Sequence, residues 1–491
     1  MCKRFLCLFL SLLLVSSCAV ALDGPIYEVF PASFRDADLD GIGDLNGIRE
    51  ALPYISLFSV KGLWLTPIAP SPSYHKYDVT DYCAVDPAFG TMDDFEKLSQ
   101  ECKQRGIKLI LDLVINHTSD QHPWFKSACE SLKADTDSPY RDYYLFSEDK
   151  TGHPVPGVPG MYYVGGFGPH MPDLNLDSEN VRREIQSIVA FWLQKGAQGF
   201  RLDATTYYYE QNTEKNRDFL AWLNHTVKAI DPEAFLIGEA WADESVINTL
   251  YQSGIDSFFD FSLQGANGPI VSALREHKGA ALSKTVSERY ARLESAAAHG
   301  QNAPFLGNHD TGRIAGALRM QTDRLKAAFA VTLLLPGVPV LYYGDELGMT
   351  GSGRDENKRL PMLWGEGEKG QCLPPANADQ RQRQTKGVKE QEQDEQSLLL
   401  YVLSLLKARS ACPEFARGKV QNILTGIDSV CAFRVEYRGT SIQVLHNLGQ
   451  EPVTLDGIKG QMIFAGDAGG GAPTLQDETL TLFPLSTCII R

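Results

Sequence analysis

From Ile26 onward, short runs of β-branched and aromatic residues alternate with stretches whose apolar positions recur every three to four residues. The first pattern reads as a buried strand and the second as an amphipathic helix. Strands are expected at 26–30, 62–66, 108–114, 199–203, 234–238, 257–261, 303–306 and 338–343, with helices at 93–105, 178–195, 217–230 and 323–335 among those between them. Thr91 with Asp94, just ahead of Phe95, resembles a capping box with Asp in the usual Glu/Gln place. Strands alternating with helices imply a parallel sheet, and eight such units imply a closed (β/α)8 TIM barrel in the α/β class.

Two stretches break the alternation. About 60 residues follow the third strand, rich in Pro, Gly, Tyr and Asp, and loops beyond about 15 residues are usually functional or form a subdomain. The barrel is therefore expected at 23–114 and 178–410, with a loop subdomain at 115–177 laid over its active-site face. After a last helix near 396–408, short alternating strands at 430–435, 441–446 and 480–485 predict an antiparallel β-sandwich domain at 419–491. The polar, Gln-rich segment 366–395 reads as a long surface loop.

The 491 residues carry a net charge of −15, which argues against a nucleic-acid partner, since phosphate binding needs clustered Lys and Arg. At the N-terminus, Lys3 and Arg4 precede an apolar run over 5–15 and then Ser16 and Ser17. That is the layout of a secretion signal, here 1–17. Val15-Ser16-Ser17-Cys18 resembles a bacterial lipobox, whose cysteine is acylated; ordinary cleavage after Ala19 or Ala21 is the other reading. The expectation is an extracytoplasmic body tethered to a bacterial membrane, periplasm-facing or at the cell surface, by lipid on Cys18. The seven cysteines that follow Cys18 leave at least one unpaired, and without a C-x-x-C pair they read mostly as buried thiols rather than zinc ligands.

In a barrel of this kind, catalytic groups project beyond the C-terminal ends of the strands. The third strand is followed by Asn116-His117, with Asp112 near its end. The fourth runs through Arg201 to Asp203-Ala204, the fifth leads to Glu239 and the seventh to Asn308-His309-Asp310. A lone Asp closing a strand is more often a cap or turn residue. Polar clusters at four strand ends together are not explained that way. Single aromatics such as Trp124, Trp241 and Tyr162 read as core.

These clusters resemble the ordered motifs of the α-amylase family, glycoside hydrolase family 13. Asp112-Leu-Val-Ile-Asn-His117, Gly199-Phe-Arg-Leu-Asp-Ala204, Gly238-Glu-Ala-Trp241 and Gly307-Asn-His-Asp310 resemble its first four motifs. Met171-Pro-Asp-Leu-Asn175 resembles the fifth, in the form of the subgroup between oligo-1,6-glucosidases and neopullulanases. Gly62-Leu-Trp-Leu-Thr-Pro67 and Gly337-Val-Pro-Val-Leu-Tyr-Tyr-Gly344 resemble flanking strands, so the likeness spans nearly the whole chain beyond the leader.

The resemblance implies a retaining glycosidase acting on α-1,4-linked glucans, with Asp203 as nucleophile, Glu239 as general acid/base and Asp310 as a third carboxylate. It implies substrate binding by His75, Tyr77, His117, Arg201 and His309, with Arg201 beside the nucleophile and Asp112 positioning Arg201. Ala204 stands where α-1,6-specific relatives tend to carry Val. Thr206-Tyr207 stand where typical α-amylases often carry Lys-His, which points to short maltooligosaccharides. A 4-α-glucanotransferase or α-glucosidase on the same residues, and a non-catalytic carbohydrate-binding protein, are the other functions to weigh.

Asp36-Ala-Asp38-Leu-Asp40-Gly41-Ile42-Gly43-Asp44 spaces oxygen ligands as the start of an EF-hand does, though Gly47 stands at the twelfth position where a bidentate Glu belongs. Ca²⁺ at Asp36, Asp38, Asp40, Ile42 and Asp44 is the expectation, against a solvated acidic loop. The resemblance implies a second Ca²⁺ at Asn116 and Asp173. Oligomeric state is left open.

Overall fold

The structure, a computed structural model, describes residues 21–210, 212–297, 299–382 and 384–491. Its centre is a parallel sheet of eight strands: β1 Ile26–Val29, β2 Gly62–Leu65, β3 Lys108–Leu113, β4 Gly199–Leu202, β5 Phe235–Gly238, β6 Ser257–Phe259, β7 Gln301–Ala303 and β8 Val340–Tyr342. Their order is β7-β6-β5-β4-β3-β2-β1-β8, and a parallel bridge between Phe305 and Val340 closes the ring. The strands read as near-continuous apolar runs because both faces are covered. Ile26, Trp64, Ile110, Phe235, Ile237, Phe259 and Val340 fill the interior, which is a packed core.

The seventh strand departs from its expected place at 303–306, pairing instead over Gln301–Ala303. Pro304, with no N–H to donate, limits the ladder on one side. Gln301 and Asn302 are polar yet buried, because their amides have inward partners: Leu22 N–H on Gln301 Oε1 at 2.8 Å, and Asp260 Oδ2 accepting from Asn302 at 2.7 Å.

The helix Met92–Gln104 begins with the full capping box, Thr91 Oγ1 accepting from Asp94 N–H and Asp94 Oδ2 from Thr91 N–H. Glu179–Lys195 is capped by Ser178 and ended by Gly196, whose φ of 110° and close approach to Ser99 suit only glycine.

Between Leu113 and the helix at Glu179 lies a small folded unit. It holds the helix Pro123–Ala134 and a three-stranded sheet ordered Phe146–Ser147, Tyr162–Tyr163, His153–Pro154, packed around Phe125. A bridge from His117 to Asp173 ties its two ends together at the barrel rim.

Beyond residue 418, a five-stranded sheet (Lys419–Asn422, Val430–Tyr437, Thr440–Asn447, Thr487–Ile490, Met462–Gly466) faces a three-stranded one (Val453–Leu455, Thr479–Leu482, Thr474–Gln476). Val430, Leu445, Leu480, Leu482 and Ile490 form the core of this sandwich.

The segment 366–395 is not simply a surface loop. Cys372, Val388 and Gln391 are buried, and Val388–Glu392 is helical. Its glutamines serve the backbone: Gln391 donates to Leu347 O at 2.9 Å and accepts from Leu399 N–H at 3.2 Å. All seven cysteines among the described residues are free, six of them buried. No helix among the described residues is long and apolar enough to cross a membrane, and Cys18 lies outside those residues.

Candidate active site

Arg201, wholly buried near the end of β4, organises the C-terminal mouth of the barrel. Its Nη1 lies 2.6 Å from Asp203 Oδ1 and 2.8 Å from Asp112 Oδ1, while Nη2 lies 3.0 Å from Glu239 Oε2. Arg201 and Asp203 are two residues apart and so share a face. The guanidinium sits over the Trp64 ring, 5.2 Å from its centroid. Glu239 follows Gly238, where any Cβ would stand 2.3 Å from the Phe258 ring. After Asp203 the chain turns through Ala204 at a φ of 50°, which aims the Ala204 N–H at Glu239 Oε2 (2.9 Å).

A second polar group stands opposite. The Tyr77 ring stacks on His309 at 5.5 Å, and its hydroxyl reaches Asp112 Oδ2 (2.9 Å) and His309 Nε2 (2.6 Å). His309 Nδ1 lies 2.6 Å from Glu28 Oε1 and its Nε2 3.0 Å from Asp310 Oδ2. Arg359 clamps the other oxygen of Asp310 at 2.7 Å and donates to the Tyr74 hydroxyl at 2.8 Å.

A cavity of ≈ 560 Å³ opens onto these groups, with Asp203, Glu239 and Asp310 on its floor and His75, Tyr77 and His117 on its wall. Arg201 and His309 do not line it; both are fully buried behind the residues that do. Burial, helped by Asp203 and Asp310 and opposed by Arg201, raises the Glu239 pKa to about 7. Burial also raises Asp112, to about 6 against the pull of Arg201. For Asp310, burial acts upward, but His309 and Arg359 outweigh it and hold the carboxyl well below its usual range. Burial lowers His117, whose Nε2 has no protein partner. One proton-holding carboxyl therefore stands close to another carboxylate on a shared guanidinium, the arrangement acid/base catalysis needs.

The model of the α-amylase catalytic domain matches residues 28–418. The chain belongs to the α-amylase family. It is thus a glycoside hydrolase. It is 37% identical to α-amylase 3 of Dictyoglomus thermophilum over 86% of this chain and 84% of that one. It is 30% identical to a 4-α-glucanotransferase of Thermotoga neapolitana, over 89% and 98%. Among solved structures, Amy13B of Eubacterium rectale superposes with a TM-score of 0.91 at 38% identity, covering 96% of both chains. An α-amylase from H. orenii superposes at 0.84, with 34% identity over 95% and 98%.

Against this family frame, several residues at the site escape sequence reading. Trp241, read as core, is 54% exposed, stacks on Phe261 at 5.0 Å and lines the cavity beside Glu239. It follows Glu239 by two residues, a signal of place that its apolar type masks. Phe167 and Tyr207, 4.9 Å apart, continue the aromatic wall. Arg359 sits far along a polar loop after β8, and Glu28 inside an apolar strand, so neither carries a local signal. Trp124 is part-buried among Tyr82 and Tyr143, and Tyr162 lies in the small sheet.

The two metal candidates differ. Asp36, Asp38 and Asp40 bring carboxylate oxygens within 4.8 Å of one another, a hard-oxygen set that fits Ca²⁺. Asp44 caps the helix Leu45–Glu50 at Gly47 N–H (2.7 Å) and accepts from Ala37 N–H (2.8 Å), as Asp36 accepts from Leu39 and Gly41 N–H (2.6 and 2.7 Å). Asn116 offers Asp173 its NH₂ at 3.2 Å, and Gly166 N–H serves the second Asp173 oxygen at 3.0 Å. That pair forms a hydrogen-bonded bridge at the barrel rim.

Proposed function

We propose that this chain is a retaining hydrolase of α-1,4-glucosidic bonds in maltooligosaccharides derived from starch or glycogen, with Asp203 as nucleophile and Glu239 as general acid/base. The observation that carries the reading is the pair itself: two buried carboxylates on one guanidinium, one of them with a pKa near 7. Retention uses carboxyl groups about 5–5.5 Å apart, whereas inversion needs roughly 6.5–9.5 Å to admit a water. Sharing Arg201 favours the shorter spacing.

In this mechanism Glu239 gives its proton to the glycosidic oxygen as Asp203 attacks the anomeric carbon. The leaving sugar departs as an alcohol, and a glycosyl ester forms on Asp203. Glu239, now ionised, takes a proton from water, which attacks the same carbon and frees Asp203. Asp310 and His117 Nε2 face the bound sugar as partners for its hydroxyls, and Tyr77 is the platform beneath it. The small Ala204 beside Asp203, with Thr206-Tyr207 beyond it, favours α-1,4 bonds in short chains.

Transfer to a sugar acceptor is the second reading, and the exposed Trp241 beside the acid favours it, since a stacked acceptor would compete with water there. We further propose that Asp36, Asp38, Asp40 and the Ile42 carbonyl hold a structural Ca²⁺, and that lipid on Cys18 tethers the body to a bacterial membrane.

Incubation of the purified protein with maltoheptaose, followed as product sizes over time, tests the function. Shorter products alone, absent with Asp203→Asn, support hydrolysis; products longer than the substrate move the assignment to transfer. No turnover by folded protein supplied with Ca²⁺ would sink both.

A further inference from the structure

Glu28 lies wholly buried on β1 and takes no part in the reaction steps above. Its Oε1 stands 2.6 Å from His309 Nδ1 and also receives the His309 backbone N–H at 3.2 Å, while Oε2 has no protein partner. No lysine or arginine forms an ion pair with it among the described residues; the neighbouring Asp345 holds Arg313 instead, at 2.7 Å. The group able to balance a buried Glu28 carboxylate is therefore His309 itself.

The surroundings of His309 fix where its protons sit. Its Nε2 faces Asp310 Oδ2 at 3.0 Å and the Tyr77 oxygen at 2.6 Å. The Tyr77 hydroxyl has one hydrogen, and Asp112 Oδ2 at 2.9 Å competes for it. Arg359 approaches from the β8 side, donating to the His309 carbonyl at 3.1 Å and to Asp310 at 2.7 Å, and the Trp64 ring meets the imidazole edge-on at 5.6 Å. A neutral imidazole has one N–H. If Glu28 takes it at Nδ1, Nε2 becomes a bare acceptor pointed at a carboxylate. With both nitrogens protonated, Nδ1–H serves Glu28 and Nε2–H serves Asp310, while the Tyr77 hydroxyl is free to donate to Asp112.

We propose that Glu28 is a positioning residue for glycosidic cleavage, holding His309 as an imidazolium whose Nε2–H orients Asp310 toward the sugar at the cleavage site. The tautomer rule behind this is general: the hydrogen bond at one ring nitrogen decides what the other does. Burial alone would lower the His309 pKa, but Asp310 and Glu28 outweigh it and carry it to about 9. A glutamine at position 28 would still accept from Nδ1–H while supplying no charge. His309 would then lose a proton at neutral pH, and Nε2 would turn from donor to acceptor against Asp310.

The test is histidine-labelled NMR of the full chain over pH 5 to 10, with His309 assigned by its loss in His309→Gln. In the wild type the His309 ring is expected to stay doubly protonated through pH 8; in Glu28→Gln its titration should fall by at least two pH units. On maltoheptaose, the ratio of variant to wild-type kcat/KM should be down roughly 10- to 100-fold at pH 7.5, the size expected for an unpaired buried acceptor. It should recover toward pH 5.5 and be partly restored by Glu28→Asp. A merely structural role would lower the ratio equally at every pH, and that outcome overturns the proposal. A neutral His309 at pH 7.5 in the wild type overturns it too, whether or not the variants fold. The kinetic arm rests on the retaining reading above and the titration arm does not, so a wild type without turnover counts against that reading alone.

Discussion

Arg201 has one positive charge and three carboxylates within hydrogen-bond reach: Asp112, Asp203 and Glu239. The shortfall is met by protons. Burial keeps one on Glu239 up to about pH 7, which is what a general acid needs. Loss of that proton disables the first step, so kcat/KM should fall about tenfold per pH unit above about pH 7, a limb a pH–rate profile would show. Glu239→Gln should remove that limb along with most of the activity on maltoheptaose. Asp203→Asn keeps the hydrogen bond to Arg201 but removes the proposed nucleophile. It should cut turnover by roughly 10⁴-fold or more while circular dichroism stays unchanged, as loss of a catalytic nucleophile typically does.

Asp203 and Glu239 each stand one residue past a strand end, at Leu202 and Gly238, while Asp310 lies further out on the loop after Ala303. The loops beyond them then differ freely. The loop after β5 exposes Trp241 against Phe261, so Trp241→Ala should raise KM for maltoheptaose several-fold with a smaller effect on kcat, since stacking on the ring helps hold substrate. Away from the cavity, helices keep the barrel closed by local chemistry. Thr91→Ala removes one half of the capping box at Met92–Gln104 and should cost about 1 kcal/mol, read as a lower denaturant midpoint with unchanged activity.

At the scale of the molecule, the chain enters at the N-terminal pole of the barrel, where Gln301 holds Leu22. The cleft lies at the other pole. A buried carboxyl outside the site sets a pH response of the whole fold. Glu346 accepts from the Tyr27 and Tyr54 hydroxyls at 2.6 and 2.8 Å, and burial raises its pKa to about 7. Because the folded state keeps this proton where the unfolded chain, at about 4.5, has lost it, stability should decline as pH rises from about 4.5 to about 7 and then level off. Glu346→Gln should flatten that decline and raise the melting temperature at pH 8. If Ca²⁺ sits in the first loop, chelation should lower the melting temperature of the wild type but not of Asp38→Ala. Segment 366–395 would carry the effect inward, since Gly370 and Leu373 bond to Asp36 and Gly41.

What the sequence determined by itself is whatever depends on neighbours along the chain. Eight apolar runs separated by amphipathic stretches admit a parallel barrel and little else, and residues just past those runs, Asp203, Glu239 and Asp310, are placed at its mouth by that fact alone. The Thr91 cap and the Asp36–Asp38–Asp40 cluster are local in the same sense. Tertiary structure decided what depends on burial and on residues far apart in the chain. Glu28, hidden in an apolar strand, meets His309 after 281 residues, and Arg359 meets Asp310 from the loop after β8. Gln301 and Asn302 were poor strand formers by type until distant partners bonded the Gln301 amide and the Asn302 NH₂. Trp241 looked like core until packing left its face open. A side chain's charge state and exposure are set by all the groups around it, and most of those groups are not its neighbours in sequence.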